Sequence, residues 1–251
     1  MEFVKMEGLG NDFVVVDGPF TPSPDQVASW CDRRRGIGAD GVLVVTPMDR
    51  TAVEMGYWNA DGSAAEMCGN GLRCVAKHAV DSGMVDGSEF TVHTPIGPRS
   101  VSVGEEGVRA ELGPALVGEG GPTIAGYDFA VVSVGNPHAV AFVDDTYSVP
   151  IEVSGPLVET DPAFPQRTNV EFATIASAEE IHLRVWERGV GETLACGTGA
   201  AAATAAAHAL GLTGSRVLIH LPGGTLGVEI IDGVAWIDGP AVAVFRGTLP
   251  A

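Results

Sequence analysis

The feature that most constrains this chain is that it repeats itself. Cys68-Gly69-Asn70-Gly71 and Cys196-Gly197-Thr198-Gly199 are 128 residues apart (196 − 68). The same offset pairs Trp58 with Trp186, Asn59 with Glu187, Val42 with Val170, Thr46 with Thr174 and Gly83 with Gly211. Further on the offset is 126, where residues 106–115 align with 232–241, and near the start it is 125, where Gly10-Asn11 aligns with Gly135-Asn136. So steady an offset reads as two diverged copies of one α/β unit. The expected division is 1–114 for the first copy, rejoined by a returning strand within 241–251, and 115–240 for the second. Each copy is large enough to bury a core of its own. Related halves would place equivalent helix ends across a pseudo-twofold axis, with the active site in the cleft between them.

Local patterns fill in each copy. Strands are predicted at 3–6, 14–16, 42–45, 53–58, 90–93, 99–103 and 108–112, from short apolar or alternating runs bounded by glycine. The second copy repeats them at 128–134, 139–143, 168–172, 181–186, 217–220, 226–231 and 234–237, and 242–245 is the strand expected to return. Helices are predicted at 23–33, with Ser23 as N-cap and Pro24 in the first turn, at 71–82 and at 199–210. The last carries Ala200-Ala201-Ala202-Ala203-Thr204-Ala205-Ala206-Ala207, apolar on every side, so it must be buried. Residues 156–164 read as loop or weak helix. The expected fold is α/β (α+β), each half a mixed or antiparallel sheet wrapped around a central helix.

Each cysteine motif opens one of these central helices. A thiol there meets the positive end of the helix dipole and the N–H groups that the first turn leaves unbonded. Such settings lower a thiol pKa from about 8.5 toward roughly 3.5–7.5, and the same N–H groups can hold a carboxylate. Two equivalent thiols suggest two acid/base groups acting on one atom. Cys31 and Cys74 fall inside helices and read as inert packing residues.

Other features narrow the class. The formal charge is −18 with no basic run beyond Arg33-Arg34-Arg35, which reads as a solvated helix end, so a nucleic-acid surface is not expected. The only lysines are Lys5 and Lys77. Neither sits as a Schiff-base lysine would, so chemistry at an amino-acid Cα would proceed without pyridoxal phosphate. Cys68 and Cys74 lack zinc spacing, and no metal is expected. Scattered cysteines, no secretory h-region and no membrane-length apolar run place the chain in the cytoplasm.

With these motifs in view, the chain resembles the diaminopimelate epimerases. The resemblance rests on Lys5-Met6-Glu7-Gly8-Leu9-Gly10-Asn11-Asp12-Phe13, Arg35-Gly36-Ile37-Gly38-Ala39-Asp40, Asn59-Ala60-Asp61-Gly62-Ser63 and Met67-Cys68-Gly69-Asn70-Gly71-Leu72-Arg73. It continues through Gly135-Asn136-Pro137-His138, Glu187-Arg188-Gly189 and Ala195-Cys196-Gly197-Thr198-Gly199. It implies cofactor-independent epimerisation of LL-diaminopimelate to the meso form, in lysine and peptidoglycan precursor biosynthesis, by a homodimer. Cys68 and Cys196 would be the acid/base pair. His138 would support Cys68, and Glu187 would hold the substrate ammonium or support Cys196. Asn11, Asn59, Asn136, Asn169 and Arg188 would read the distal end of the substrate. The N–H groups around Gly69, Asn70, Gly197 and Thr198 would hold the charge that develops on the carboxylate. Two departures stand out. Many family members carry histidine at Glu7, and some carry a substrate-contacting glutamine at Gly41.

Three rivals remain. A two-thiol proline or hydroxyproline racemase would not need four asparagines and Arg188 for a distal zwitterion. A phenazine-pathway isomerase would not need both thiols. A redox sensor pairing Cys68 with Cys196 would not exchange a substrate Cα hydrogen.

Overall fold

In the computed structural model, which describes residues 1–249, the chain forms two compact units. One comprises residues 1–110 with the segment from Gly239 onward, the other Glu111–Asp238. The first unit runs β1 (Glu2–Gly8), β2 (Asn11–Asp17), α1 (Pro24–Cys31), β3 (Gly41–Asp49), β4 (Ala52–Asn59), α2 (Gly69–Asp81), β5 (Glu89–Thr94) and β6 (Gly97–Val103), and β7 (Val108–Pro114) leads from it into the second. The second runs β8 (Leu116–Val117), β9 (Thr123–Ile124), β10 (Tyr127–Ser133), β11 (Pro137–Phe142), α3 (Ile151–Glu159), β12 (Asn169–Ser177), β13 (Glu180–Glu187) and β14 (Gly191–Thr193). It continues with α4 (Gly197–Ala209), β15 (Arg216–Leu221), β16 (Gly224–Ile231) and β17 (Val234–Gly239), before β18 (Val242–Thr248) returns to the first unit.

The pairing order is the same in both. In the first unit β18, β1, β2, β3, β4, β5, β6 and β7 are successive neighbours, with β2–β3 and β4–β5 parallel and the rest antiparallel. In the second, β8, β10, β11, β12, β13, β15, β16 and β17 follow one another, with β11–β12 and β13–β15 the parallel pairs. Each sheet wraps one helix, α2 or α4, whose residues pack against most of its strands. The α/β architecture of two repeated halves, a mixed sheet around a central helix in each, is therefore as the sequence predicts.

The alanine run explains how the second sheet closes so tightly. Every residue of α4 from Gly197 to Ala207 is buried, and side chains of one carbon let strands approach from all sides. Outside the wrap, α1 and α3 cover the opposite sheet faces. α1 starts on a capping box, Ser23 accepting from the Gln26 N–H while the Gln26 side chain accepts from the Ser23 N–H. It packs Val27 against Val14, Val16 and Val42. α3 packs Ile151 and Val158 beside Phe129 and Phe172.

Three details differ from expectation. Residues 156–164 read as loop or weak helix, yet α3 spans Ile151–Glu159 with Pro156 inside it. No side-chain cap announces its start at Pro150; the helix is held by tertiary packing, Gly155 lying so flat on Trp186 that a Cβ there would sit 2.6 Å from the indole. Both central helices begin two residues earlier than predicted, at Gly69 and Gly197. Gly-x-Gly looks like a turn, but here the glycines make room for the closing sheet. Finally, Arg33 is not a solvated helix end. α1 stops at Cys31, and the Arg33 guanidinium forks onto both oxygens of Asp12 and reaches Asp40. No helix among the described residues is long and apolar enough to cross a membrane.

Candidate active site: two cysteine-capped helices

Because the helices start two residues early, each cysteine is the N-cap itself. Cys68 (φ −138°, ψ 126°) and Cys196 (φ −129°, ψ 114°) are both extended, the backbone shape an N-cap adopts. Each carbonyl already accepts the first helical bond, from Leu72 N at 2.8 Å and from Ala200 N at 3.0 Å. Gly69 and Asn70, and Gly197 and Thr198, then form the first turn, whose N–H groups lack helical partners and suit an anion at the helix end.

The side chains around the two caps differ. Half-buried Cys68 donates to Asn11 Oδ1 at 3.4 Å. That same oxygen accepts from Asn70 Nδ2 at 3.4 Å. The Asn11 amide is oriented from behind, its Nδ2 donating to Asp40 Oδ2 at 2.8 Å. Asp40 belongs to a charge network with Arg33, Asp12 and buried Lys5, in which Lys5 also donates to Gly38 O. Burial opposes ionisation of Asp12, but hydrogen bonds from Arg33 and Lys5 and the Lys5 charge outweigh it and hold its pKa down at about 2. Arg73, one turn inside α2, is fully buried. Its guanidinium donates to Asn70 Oδ1 (3.0 Å), Pro240 O (3.2 Å) and Gly69 O (3.4 Å), and burial lowers its pKa. Asn59 lies exposed at the end of β4, donating to Ser63 Oγ at 3.0 Å.

The second cap is more enclosed and more acidic. Buried Cys196 Sγ accepts from Gly199 N at 3.4 Å and lies 3.5 Å from Thr198 Oγ1. Helix position alone predicts a lowered thiol pKa. Here burial wins and, with the charge of Glu187 beside it, pushes the Cys196 thiol well above its ordinary range despite the bonds to Thr198 and Gly199. Burial also pushes up Glu187, whose Oε1 accepts from Thr193 Oγ1 at 2.6 Å. His138, fully buried on β11, meets Glu171 Oε1 through Nδ1 at 2.7 Å and Asn136 Oδ1 through Nε2 at 2.8 Å. Asn136 Nδ2 donates to Thr198 Oγ1 at 3.5 Å. Asn169 has both ends of its amide on backbone, donating to Pro137 O and accepting from Arg188 N. It thereby ties the Glu187-Arg188 turn to β11. The exposed Arg188 guanidinium donates to Gln166 O at 3.1 Å.

Cys31 and Cys74 are buried, and burial raises their thiols to about 11 and about 12. Glu7 accepts from Gly10 N at 2.9 Å, fixing the turn before Asn11. A Cβ at Gly41 would lie 2.6 Å from Trp58 O, so this backbone admits no side chain there. Three residues that the sequence reading passed over are Asp40, Arg73 and Glu171. Glu171 carried a usable signal. At the repeat offset its counterpart is Leu43 (171 − 128), so an acid stands in the second copy where a core leucine stands in the first.

Comparison with known proteins agrees with this duplication. The family model for diaminopimelate epimerase matches residues 3–117 and again residues 130–244. The diaminopimelate epimerase of Moorella thermoacetica is 42% identical over 277 residues, covering 100% of this chain and 99% of its own. That of Pelotomaculum thermopropionicum is 43% identical over 277 residues, covering 100% and 99%. Among solved structures, a probable proline racemase from Agrobacterium radiobacter superposes with a TM-score of 0.75 at 16% identity, over 99% of this chain and 92% of its own. A phenazine biosynthesis protein of the PhzF family from Enterococcus faecalis does so at 0.75 and 13%, over 98% and 97%. At these identities the two structures share the fold alone.

Proposed function

The chain belongs to the diaminopimelate epimerase family, and we propose that it interconverts LL- and meso-diaminopimelate by two thiols acting on one Cα, in lysine and peptidoglycan precursor biosynthesis. The observation that carries this reading is that Cys68 and Cys196 are N-caps of equivalent helices in the two copies, 128 residues apart. One sulfur, as thiolate, takes the Cα proton. The other, as thiol, delivers its proton to the opposite face, so one turnover exchanges the protonation states of the two sulfurs. Burial and Glu187 favour Cys196 as the thiol in the free enzyme, and either sulfur can be the base, depending on the configuration of the substrate.

The carbanion is held through its carboxylate by the first-turn N–H groups of Gly69, Asn70, Gly197 and Thr198. Asn11, Asn59, Asn136, Asn169 and Arg188 recognise the distal end, with the Arg188 fork suited to a carboxylate. Glu187 supports Cys196 or the substrate ammonium, while His138, which the resemblance assigns to Cys68, bonds through Asn136 toward Thr198 beside Cys196. The reaction needs no pyridoxal phosphate and no metal. A homodimer in the cytoplasm fits the family resemblance.

The test is epimerase activity of four variants. Cys68→Ala and Cys196→Ala each abolish turnover, while Cys31→Ala and Cys74→Ala remain near wild type. Near-full turnover by either of the first two refutes the assignment. Activity on proline with none on diaminopimelate would transfer the reading to the racemases.

A further inference from the structure

We propose that Glu171 is a positioning residue for Cys196, holding His138 and, through Asn136 and Thr198, the hydroxyl that orients the sulfur. The inference deepens the proposed function and rests on Cys196 being one of its acid/base groups.

The geometry is a continuous chain. Glu171 Oε1 meets His138 Nδ1 (2.7 Å), His138 Nε2 meets Asn136 Oδ1 (2.8 Å), Asn136 Nδ2 reaches Thr198 Oγ1 (3.5 Å), and that hydroxyl touches Cys196 Sγ (3.5 Å). Both Glu171 and His138 have no exposed surface. The donor logic runs in one direction. Asn136 Oδ1 can only accept, so His138 Nε2 carries a proton. Nδ1 then either accepts from a protonated Glu171 or shares a second ring proton with its carboxylate. In both cases one proton lies between the two residues, and the pair is neutral.

Two further observations favour the protonated acid. Burial raises the Glu171 pKa. Its second oxygen, Oε2, is buried with no hydrogen-bond partner, which is tolerable for the carbonyl oxygen of a neutral acid and costly for a carboxylate. The titratable groups of this unit acting on Cys196 are Glu187 and Glu171, with His138 acting in turn on both acids. The device belongs to the second copy alone. In the first, the equivalent of Glu171 is Leu43, and α2 instead buries Arg73 where α4 has Ala201 (201 − 128).

If reach and donor capacity matter rather than charge, the order of variants is unusual. Glu171→Gln can still donate an N–H to His138 Nδ1. Glu171→Asp keeps the acid but is one methylene short of the ring. Full-length protein carrying ¹⁵N-labelled histidine reports the His138 tautomer, assigned by its loss in His138→Gln. The expected result is that wild type and Glu171→Gln hold the Nε2–H tautomer and keep kcat within about threefold of each other. In Glu171→Asp and Glu171→Leu nothing holds Nδ1, so the ring can turn and the Asn136 amide can flip; the tautomers mix and kcat falls about tenfold or more, the direction set by losing a histidine orienter.

The proposal is overturned if Glu171→Asp retains wild-type kcat and tautomer, or if Glu171→Gln is as impaired as Glu171→Asp. Should Glu171→Leu not fold, the Gln and Asp variants decide. The tautomer readout is independent of turnover. Failure of the thiol assignment, seen in Cys196→Ala, is thus distinguishable from failure of this one.

Discussion

Gly71 and Gly199 occupy the same position in the two copies, three residues after the capping cysteine, yet replacing them with alanine should have opposite consequences. At Gly71 an added Cβ would meet Leu43 Cδ2 at 3.3 Å, Met55 Cε at 3.4 Å and Phe13 Cζ at 3.5 Å. These are methyl ends and a ring edge that can give by a few tenths of an ångström. Alanine also gains about 1 kcal/mol over glycine inside a helix. Gly71→Ala should therefore fall within about 1 kcal/mol of wild type.

At Gly199 the Cβ would lie 2.7 Å from Glu171 Oε1 and 3.4 Å from both Cys196 Cβ and Sγ. Relief requires Glu171 to retreat by about 0.8 Å, since carbon contacts favour about 3.5 Å. Glu171 is fully buried and bonded to His138 at 2.7 Å, so it has no open space to retreat into. Weakening that bond costs about 1–3 kcal/mol, and overpacking costs a similar amount. Set against the helix gain, Gly199→Ala should destabilise by about 1–5 kcal/mol, lowering Tm by roughly 2–20 °C for a chain of this size. Parallel thermal and urea melts of the two variants decide the matter. A Gly199→Ala protein that melts with wild type would refute the argument that Glu171 is locked beneath the helix.

Other consequences can be checked separately. Iodoacetamide at pH 8, followed by peptide mapping, should modify half-buried Cys68 well before Cys196, which is enclosed and held protonated by burial and by Glu187; equal rates would contradict that asymmetry. Asp12 has a folded pKa of about 2, below its unfolded value of about 3.9, so its contribution is present above pH 4 and lost as pH falls through 4 toward 2. Asp12→Asn should thus cost about 1–2 kcal/mol at pH 7, discounted because Arg33 is half-exposed, and nothing near pH 2; a cost unchanged across that range would refute the network. Asp40→Leu frees the Asn11 amide to flip, and should raise KM for diaminopimelate several-fold with a smaller effect on kcat. An unchanged KM would remove Asn11 from substrate recognition.

The repeat offset made most of the fold legible. It equates α2 with α4, β3 with β12 and β4 with β13 residue for residue (69 + 128 = 197, 41 + 128 = 169, 52 + 128 = 180). It would also have found α3 as the partner of α1, had the offset been trusted over a proline and a missing cap. The capping cysteines were visible because each precedes a glycine pair, although the helix starts were not, because glycine at a helix start looks like a turn until the packing sheet is seen. The state of the thiols was the least legible. A helix dipole lowers a thiol pKa wherever the helix begins, but desolvation, with the neighbouring acids, reverses the sign at Cys196. Only one of those acids lay next to a recognised motif. Glu171 was hidden inside a strand whose pattern, Asn169-Val170-Glu171-Phe172, is otherwise that of a core strand.

Isotope position in early turnover tests the central claim most directly. LL-diaminopimelate is incubated in D2O to a few per cent conversion, and both product and recovered substrate are analysed. Two thiols working from opposite faces predict solvent deuterium at the inverted Cα of the meso product and almost none in the remaining LL substrate, with the product signal lost in Cys68→Ala and in Cys196→Ala. Deuterium appearing in substrate as fast as in product would mean that one base removes and returns the proton, and the two-thiol account would be wrong.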